Sequence, residues 1–450
     1  MTSTTAQPTS EPGGSWAARP AGLPTAVPPP SVPLSFLAAA AAGLVACGIA
    51  WIWAAEAAAQ DPTSDPVVAA VHFGVLATLT MAVLGATHQF TPVITGKPLS
   101  SLPLARATFV VWLAASWMLP FGVATEQVGV TVASGVLAGV AIVALAVNLA
   151  APLAVRGKGA PVVALRFAVA GAVLTTFLGI AFIGDRQGNW FSLSPHVDLA
   201  MAVTGMFGWL GVTYVGVAEK LWPMFMLAHL PAGHRAGRLA VWAIPLGSGA
   251  LAIGLGWAVP ALAVAGAAVL AIGLGAHLGS LLAHVRHRRR AADLHLVFLV
   301  TSAVWLLAGA GLALAGTLVL PDHDGQGVAL VAAAMVAFGG WLLQAVVGHA
   351  HKVVPFIVWS ALRSRGVAAA PSGRQLMFAD LYHHGWATAT YVTTTAGLAL
   401  LCSGLGVSLA PLSAAGGLLL ALTGIMAGIN LSFRPMRLLT VRRTASKATT

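Results

Sequence analysis

Apolar residues in this chain run in long unbroken stretches, parted by short polar segments. Twelve such stretches occur, at about 33–55, 66–94, 104–124, 129–154, 162–183, 196–226, 238–257, 259–284, 295–320, 327–361, 379–401 and 407–431. Each holds about 20 apolar residues, enough to carry an α-helix across a hydrocarbon core about 30 Å thick. Helices satisfy all their backbone donors and acceptors without water, which is why they can cross lipid. The pattern predicts an all-α polytopic membrane protein with about 12 transmembrane helices between residues 32 and 433. Residues 1–31 are rich in Pro, Ser, Thr, Ala and Gly and are expected to be a disordered cytoplasmic tail. Residues 434–450 form a basic cytoplasmic tail. The first apolar stretch is too long for a signal-peptide core and leads into further spans, so no cleavage is expected.

The loops alternate in charge. Glu56, Asp61 and Asp65 follow the first span, and Lys97 and Arg106 the second. Acidic and basic loops keep alternating as far as Arg363, Arg365 and Arg374 after the tenth span. Basic loops stay in the cytoplasm, so both termini are expected there, in a multi-pass protein of the cell (inner) membrane. Composition agrees: 58% of residues are hydrophobic and 8% charged, against about 25% charged in a soluble domain. The formal net charge of +11 is then a matter of topology and lipid contact, and nucleic acid is not an expected partner. Cys47 and Cys402 both lie in apolar spans and make neither a disulfide framework nor a CxxC metal site.

Three stretches repeat one pattern. Gly85-Ala-Thr-His88-Gln89-Phe-Thr-Pro92, Gly216-Val-Ala-Glu219-Lys220-Leu-Trp-Pro223 and Gly348-His349-Ala-His351-Lys352-Val-Val-Pro355 begin 216 − 85 = 131 and 348 − 216 = 132 residues apart. They fall in spans 2, 6 and 10, so the helices divide into three pseudo-repeated four-helix arcs. Weaker echoes appear at Asn148-Leu149, His277-Leu278 and Asn430-Leu431. Each proline removes a backbone donor and is expected to kink its helix. Spans 2, 6 and 10 are also longer than a bilayer requires.

Ionisable groups inside a membrane are functional candidates by default. His88, Glu219 and His351 occupy equivalent places, followed by Gln89, Lys220 and Lys352. Glu219, Lys220 and Lys352 are candidates for charge handling, although lysines at such positions also simply snorkel to the interface. His349 and His351 differ by about 200° in direction around their helix and so face two neighbouring sites. His72 lies 16 residues before His88, about 24 Å nearer the outside. Asp380, His383 and His384 open the eleventh span, where an acidic residue suits the helix dipole. No residue is singled out as catalytic.

Twelve spans, three arcs, polar residues on helices 2, 6 and 10, and His-x-His on helix 10 together resemble the haem–copper oxidase subunit I superfamily and the related NnrS proteins. The resemblance implies haem b as cofactor, with His351 paired to His72 or His88 and His349 facing a second site. His72, His88, His349 and His351 are accordingly the candidate cofactor and metal ligands. Helix 7 lacks the copper-binding histidine pair and helix 6 offers Glu219 and Lys220 in its interior. The implied protein has a redox or NO/O₂-related role without the copper centre, with a gas or small-molecule ligand and subunits of a respiratory complex as partners. The rival reading from the residues is a transporter for a small solute, ion or metal, its path lined by helices 2, 6 and 10.

Overall fold

The computed structural model describes residues 27–157, 159–193, 196–231, 234–319, 332–367, 369 and 374–433. Most of the expected N-terminal tail and all of the C-terminal tail lie outside the described residues. The helices are α1 (Ser31–Gln60), α2 (Asp65–Thr95), α3 (Leu102–Ala124), α4 (Val128–Leu153), α5 (Ala160–Arg186) and α6 (Val197–Met226). They continue as α7 (Ala236–Gly256), α8 (Pro260–Arg286), α9 (Leu294–Val319), α10 (Ala332–Ser364), α11 (His384–Gly406) and α12 (Ala410–Gly428). Among the described residues, eleven of them are long and apolar enough to cross a membrane.

The exception is α11. It has 23 residues but carries Thr388, Thr390, Thr393, Thr394 and Thr395, which lower its apolar character. The first four hydroxyls donate to carbonyls one turn back. Across helices, Thr393 meets the Thr423 hydroxyl at 2.8 Å, and Thr395 accepts from the Gln344 amide at 2.9 Å. Polar side chains satisfied in this way hold helices together in lipid.

The long helices α2, α6 and α10 form the centre. They are buried over 61%, 78% and 67% of their apolar windows, against 17–44% for the other eight spans. Each contains an eight-residue π-helical segment: Phe73–Thr80, Thr204–Gly211 and Val336–Leu343. Each segment starts 12 residues before the glycine of its pattern (85 − 73, 216 − 204, 348 − 336). π-Helical turns are rare and gather at functional sites. The expected proline breaks take a milder form, since Pro92, Pro223 and Pro355 all lie inside continuous helix. A proline frees the carbonyl four residues back, here that of His88, Glu219 and His351. In α2 and α6 the helix stops just beyond the proline, at left-handed Gly96 and Leu227.

Packing repeats as well. A side chain at Gly85, Gly216 or Gly348 would meet Phe36 of α1, Ala164 of α5 or Phe298 of α9, at 2.6, 2.3 and 2.5 Å. A Cβ at Gly43 would lie 2.1 Å from the Ala77 carbonyl oxygen, and one at Gly171 2.1 Å from that of Gly208. Gly122, Gly254 and Gly404 press in turn on Thr131, Ala263 and Ser413 at the next helix pair. The last contact is shifted by 150 residues from the one before (404 − 254), not 132 (254 − 122), because α10 runs further past its proline than α6 does and the α10–α11 connection, 365–383, is longer than the α6–α7 connection, 227–235. At these offsets Asn148 and Asn430 line up with Ser280 (148 + 132, 430 − 150), three residues from the echo at His277.

Candidate functional site

The ring of His88 donates from Nδ1 to the Leu84 carbonyl at 2.8 Å. His349 and His351 do the same to Ala345 and Val347, both at 2.8 Å, and His72 to Val68 at 2.7 Å. A carbonyl can only accept, so Nδ1 carries the proton and Nε2 is left with its lone pair. That tautomer suits a metal ligand, whose other ring nitrogen commonly donates to a carbonyl. The bond alone is a helix habit, because exposed His287 makes it too. What sets His88, His349 and His351 apart is a buried Nε2 without a protein partner. His72 is only half-buried.

The two histidines of α10 both meet α9, and their other neighbours differ. His349 lies edge-on to Tyr214 of α6, at 5.6 Å between ring centroids, and to His295 of α9 at 4.8 Å. His351 stacks on Phe298 at 5.7 Å and approaches Tyr382 at 6.3 Å. His88 instead stacks on Phe36 at 5.3 Å, and Phe36 stands edge-on to Phe109 of α3. His88 and His351 thus hold the same place in the glycine–proline pattern, each turned toward its own neighbouring helix. The structure does not bring them together as a ligand pair, and His72 lies several turns away along α2.

The sequence reading missed most of the cluster around His349. His277 of α8 lies 5.3 Å from Tyr214 and 5.2 Å from Trp222. Trp222 and Trp341, both fully buried, close the cluster. His277 Nδ1 and His295 Nε2 are buried without partners. One signal was available for α8: His277 and His284 are seven residues apart, which puts them on one helix face. Nothing marks His295. Among the described residues, no three His, Cys, Asp or Glu side chains converge as for a metal ion.

The charge-handling candidates lie elsewhere. Lys352 pairs with Asp293, just before α9. Lys220 is exposed. The Glu219 carboxylate accepts a 2.6 Å bond from the Ser280 hydroxyl. It also rests on Gly237, where a Cβ would lie 1.8 Å from it. A carboxylate at the first turn of α7 is favoured by the helix dipole. Asp380 pairs with Arg374 and caps the short 3₁₀ turn Phe378–Leu381. Tyr382, outside the spans, has its phenol pushed up from its ordinary pKa by burial and then by the charge of Asp293.

Between α2, α6 and α10, with α1 at its edge, lies a cavity of about 70 Å³, lined by Gln89, Thr213, Tyr214, His349 and apolar side chains. It has room for a diatomic molecule or a few waters. No protein-family model and no curated protein sequence matches the chain.

Proposed function

We propose that the protein is a redox or diatomic-gas-handling membrane protein, built on an oxidase-like plan of twelve helices in three four-helix arcs with both termini in the cytoplasm. Support for the plan comes from the three π segments at one offset and from the recurrent glycine contacts. The working centre is His349 with His295, His277 and Tyr214, beside the central cavity. One observation carries this reading: His295 and His349 meet at 4.8 Å in the interior, each with an unpartnered Nε2. Unpaired buried polar atoms are costly, so a native interior keeps them where a ligand completes them.

Haem b is the cofactor the resemblance implies, and these residues fit it poorly. The donors are suitable, but His88 and His351 face different helices. The cavity of about 70 Å³ is also far below the several hundred Å³ of a typical cofactor pocket. A transition-metal ion fits better, and imidazole suits copper and iron. The transporter reading gains no specific support, since Lys352 is paired, Lys220 faces outward and Glu219 anchors α7.

The test is metal analysis with visible and electron-paramagnetic spectra of the purified full-length protein. About one copper or iron per chain is expected, lost in His349→Ala and His295→Ala and kept in His88→Ala. Sharp b-type bands that vanish in His351→Ala would restore haem. A folded protein without metal or chromophore would sink the reading and send the work to transport assays.

A further inference from the structure

At the end of the bundle that carries the basic loops, a groove of about 690 Å³ opens between the α4–α5 turn, the start of α5 and the start of α7. That volume is in the range of ligand pockets. Arg166, Arg235 and Arg238 line it, with no acidic residue among the lining. Arg235 and Arg238 are exposed, and none of the three arginines pairs with a carboxylate among the described residues. Arg166 is fixed by two bonds, from Nε to the Leu153 carbonyl at 2.8 Å and from Nη2 to that of Val155 at 2.5 Å.

The groove changes character along α7. Leu239 and Trp242 line it and are 48% and 49% exposed, toward the lipid-facing side. Trp242 is steadied by Phe167 of α5, edge-on at 5.4 Å. The turn before α5 holds Gly157 and Gly159 in the left-handed region, and at Gly157 no atom lies within 4 Å of where a side chain would stand. The first turn of α5 borders the groove, and a helix N-terminus favours an anion. Three arginines, a dipole and an apolar shelf together match an amphipathic anion.

We propose that this groove is a binding site for an anionic phospholipid, its phosphate held by Arg166, Arg235 and Arg238 and an acyl chain lying over Leu239 and Trp242. Guanidinium groups take phosphate oxygens in paired bonds, and tryptophan suits the membrane interface. The site belongs to the middle unit alone. The places matching Arg166 in the other units hold Ala38 and Val300, and those matching Arg238 hold Arg106 and Thr388.

The test uses the full-length protein, delipidated in neutral detergent and titrated with phosphatidylglycerol or phosphatidylcholine under native mass spectrometry. Phosphatidylglycerol is expected to be retained preferentially. The double variant Arg235→Gln/Arg238→Gln should weaken it by about 10- to 30-fold, with an unchanged melting curve in phosphatidylcholine. Arg288→Gln/Arg289→Gln, in another basic loop, should leave binding as it is. Equal retention of the two lipids, equal loss in both double variants, or displacement by millimolar inorganic phosphate would each overturn the proposal.

Discussion

On the three-unit plan proposed above, the first and third units differ from the second at the same two places. In the outer units a histidine after the glycine stacks on a phenylalanine: His88 on Phe36, His351 on Phe298. In the middle unit those positions are Glu219 and Ala164. In the outer units an asparagine fastens the next loop. The Asn148 carbonyl side-chain oxygen accepts from the Ser101 amide at 2.8 Å, and that of Asn430 from the His383 amide at 2.7 Å. In the middle unit Ser280 stands there and donates to Glu219. The scaffold contacts are common to the units, and the polar chemistry is not. A close approach between helices leaves little room for a larger side chain unless a glycine opposite makes it, as Gly340 does for Trp305, whereas a polar group needs only some partner within reach.

The largest effect should come from breaking a close approach that the first and second units share; in the third, Trp305 stands at the matching place and packs on Gly340. Gly171→Val places carbon against the Gly208 carbonyl, where a Cβ already lies at 2.1 Å. Backbone cannot move aside as a side-chain tip can, so a loss of about 3 kcal/mol or more is expected. Gly43→Val should do the same through Ala77. Both would be read as lost monodisperse protein and lowered melting temperature in detergent. If either variant melts like the parent, the close approach is not a common constraint.

Next comes a change confined to the middle unit. Gly237→Ala meets the Glu219 carboxylate at 1.8 Å. That carboxylate ends a flexible side chain, so it can swing away and break its bond to Ser280. About 1–3 kcal/mol is expected, the cost of an unsatisfied buried polar group. Glu219→Ala, which removes both the clashing group and the acceptor, should abolish most of the additional effect of Gly237→Ala, and a melting-temperature double-mutant cycle measures that coupling. Purely additive losses would separate Glu219 from α7.

A smaller effect should follow at the fasteners. Asn148→Ala removes one bond to the backbone at the entry of a helix, for about 1 kcal/mol, and Asn430→Ala removes two, to the His383 N–H and carbonyl, for about 1–2 kcal/mol. Ser280→Ala should cost a similar amount but should also free Glu219. Amide hydrogen exchange at Ser101 and His383 should therefore quicken in the two asparagine variants only. Quickening at both sites in Ser280→Ala would contradict the assignment of Ser280 to a different partner.

How much of this was legible in the sequence follows from the range of each interaction. Spans are set by the apolar content of one continuous segment, so α6, expected at about 196–226, runs from Val197 to Met226. The different directions of His349 and His351 follow from helical pitch alone. The glycine pattern was legible because close backbone approach needs glycine at one spacing. The π segments carry no residue signature and were invisible. The α8 echo was misplaced because the residue at the regular offset, Ser280, is neither an amide nor an imidazole and does not stand out in the sequence. His295 and Asp293 were missed because their partners, His349 and Lys352, come from another helix. The pairing of His351 with His72 or His88 is of the same kind: a sequence gives the face of a helix but not which neighbour that face meets.

The smallest effect is electrostatic and belongs to the third unit. There the lysine after the histidine is paired, Lys352 with Asp293, whereas Lys220 in the middle unit faces outward. Asp293 also bears on Tyr382, whose pKa is raised first by burial and then by that carboxylate. A phenol with a raised folded pKa is favoured in its neutral form by folding. Its contribution to stability is therefore complete below the ordinary value of about 10 and fades as pH rises through the folded value. Tyr382 adjoins His351 at 6.3 Å and His384 at 4.7 Å. The chain has only 3 tyrosines, so an ultraviolet titration of the parent minus that of Tyr382→Phe isolates this one. Asp293→Asn should move its midpoint down toward the ordinary value without reaching it, because burial is the larger cause. A midpoint that does not move would mean that Lys352 already neutralises Asp293 as seen from Tyr382, and that the third unit is as silent electrostatically as the first.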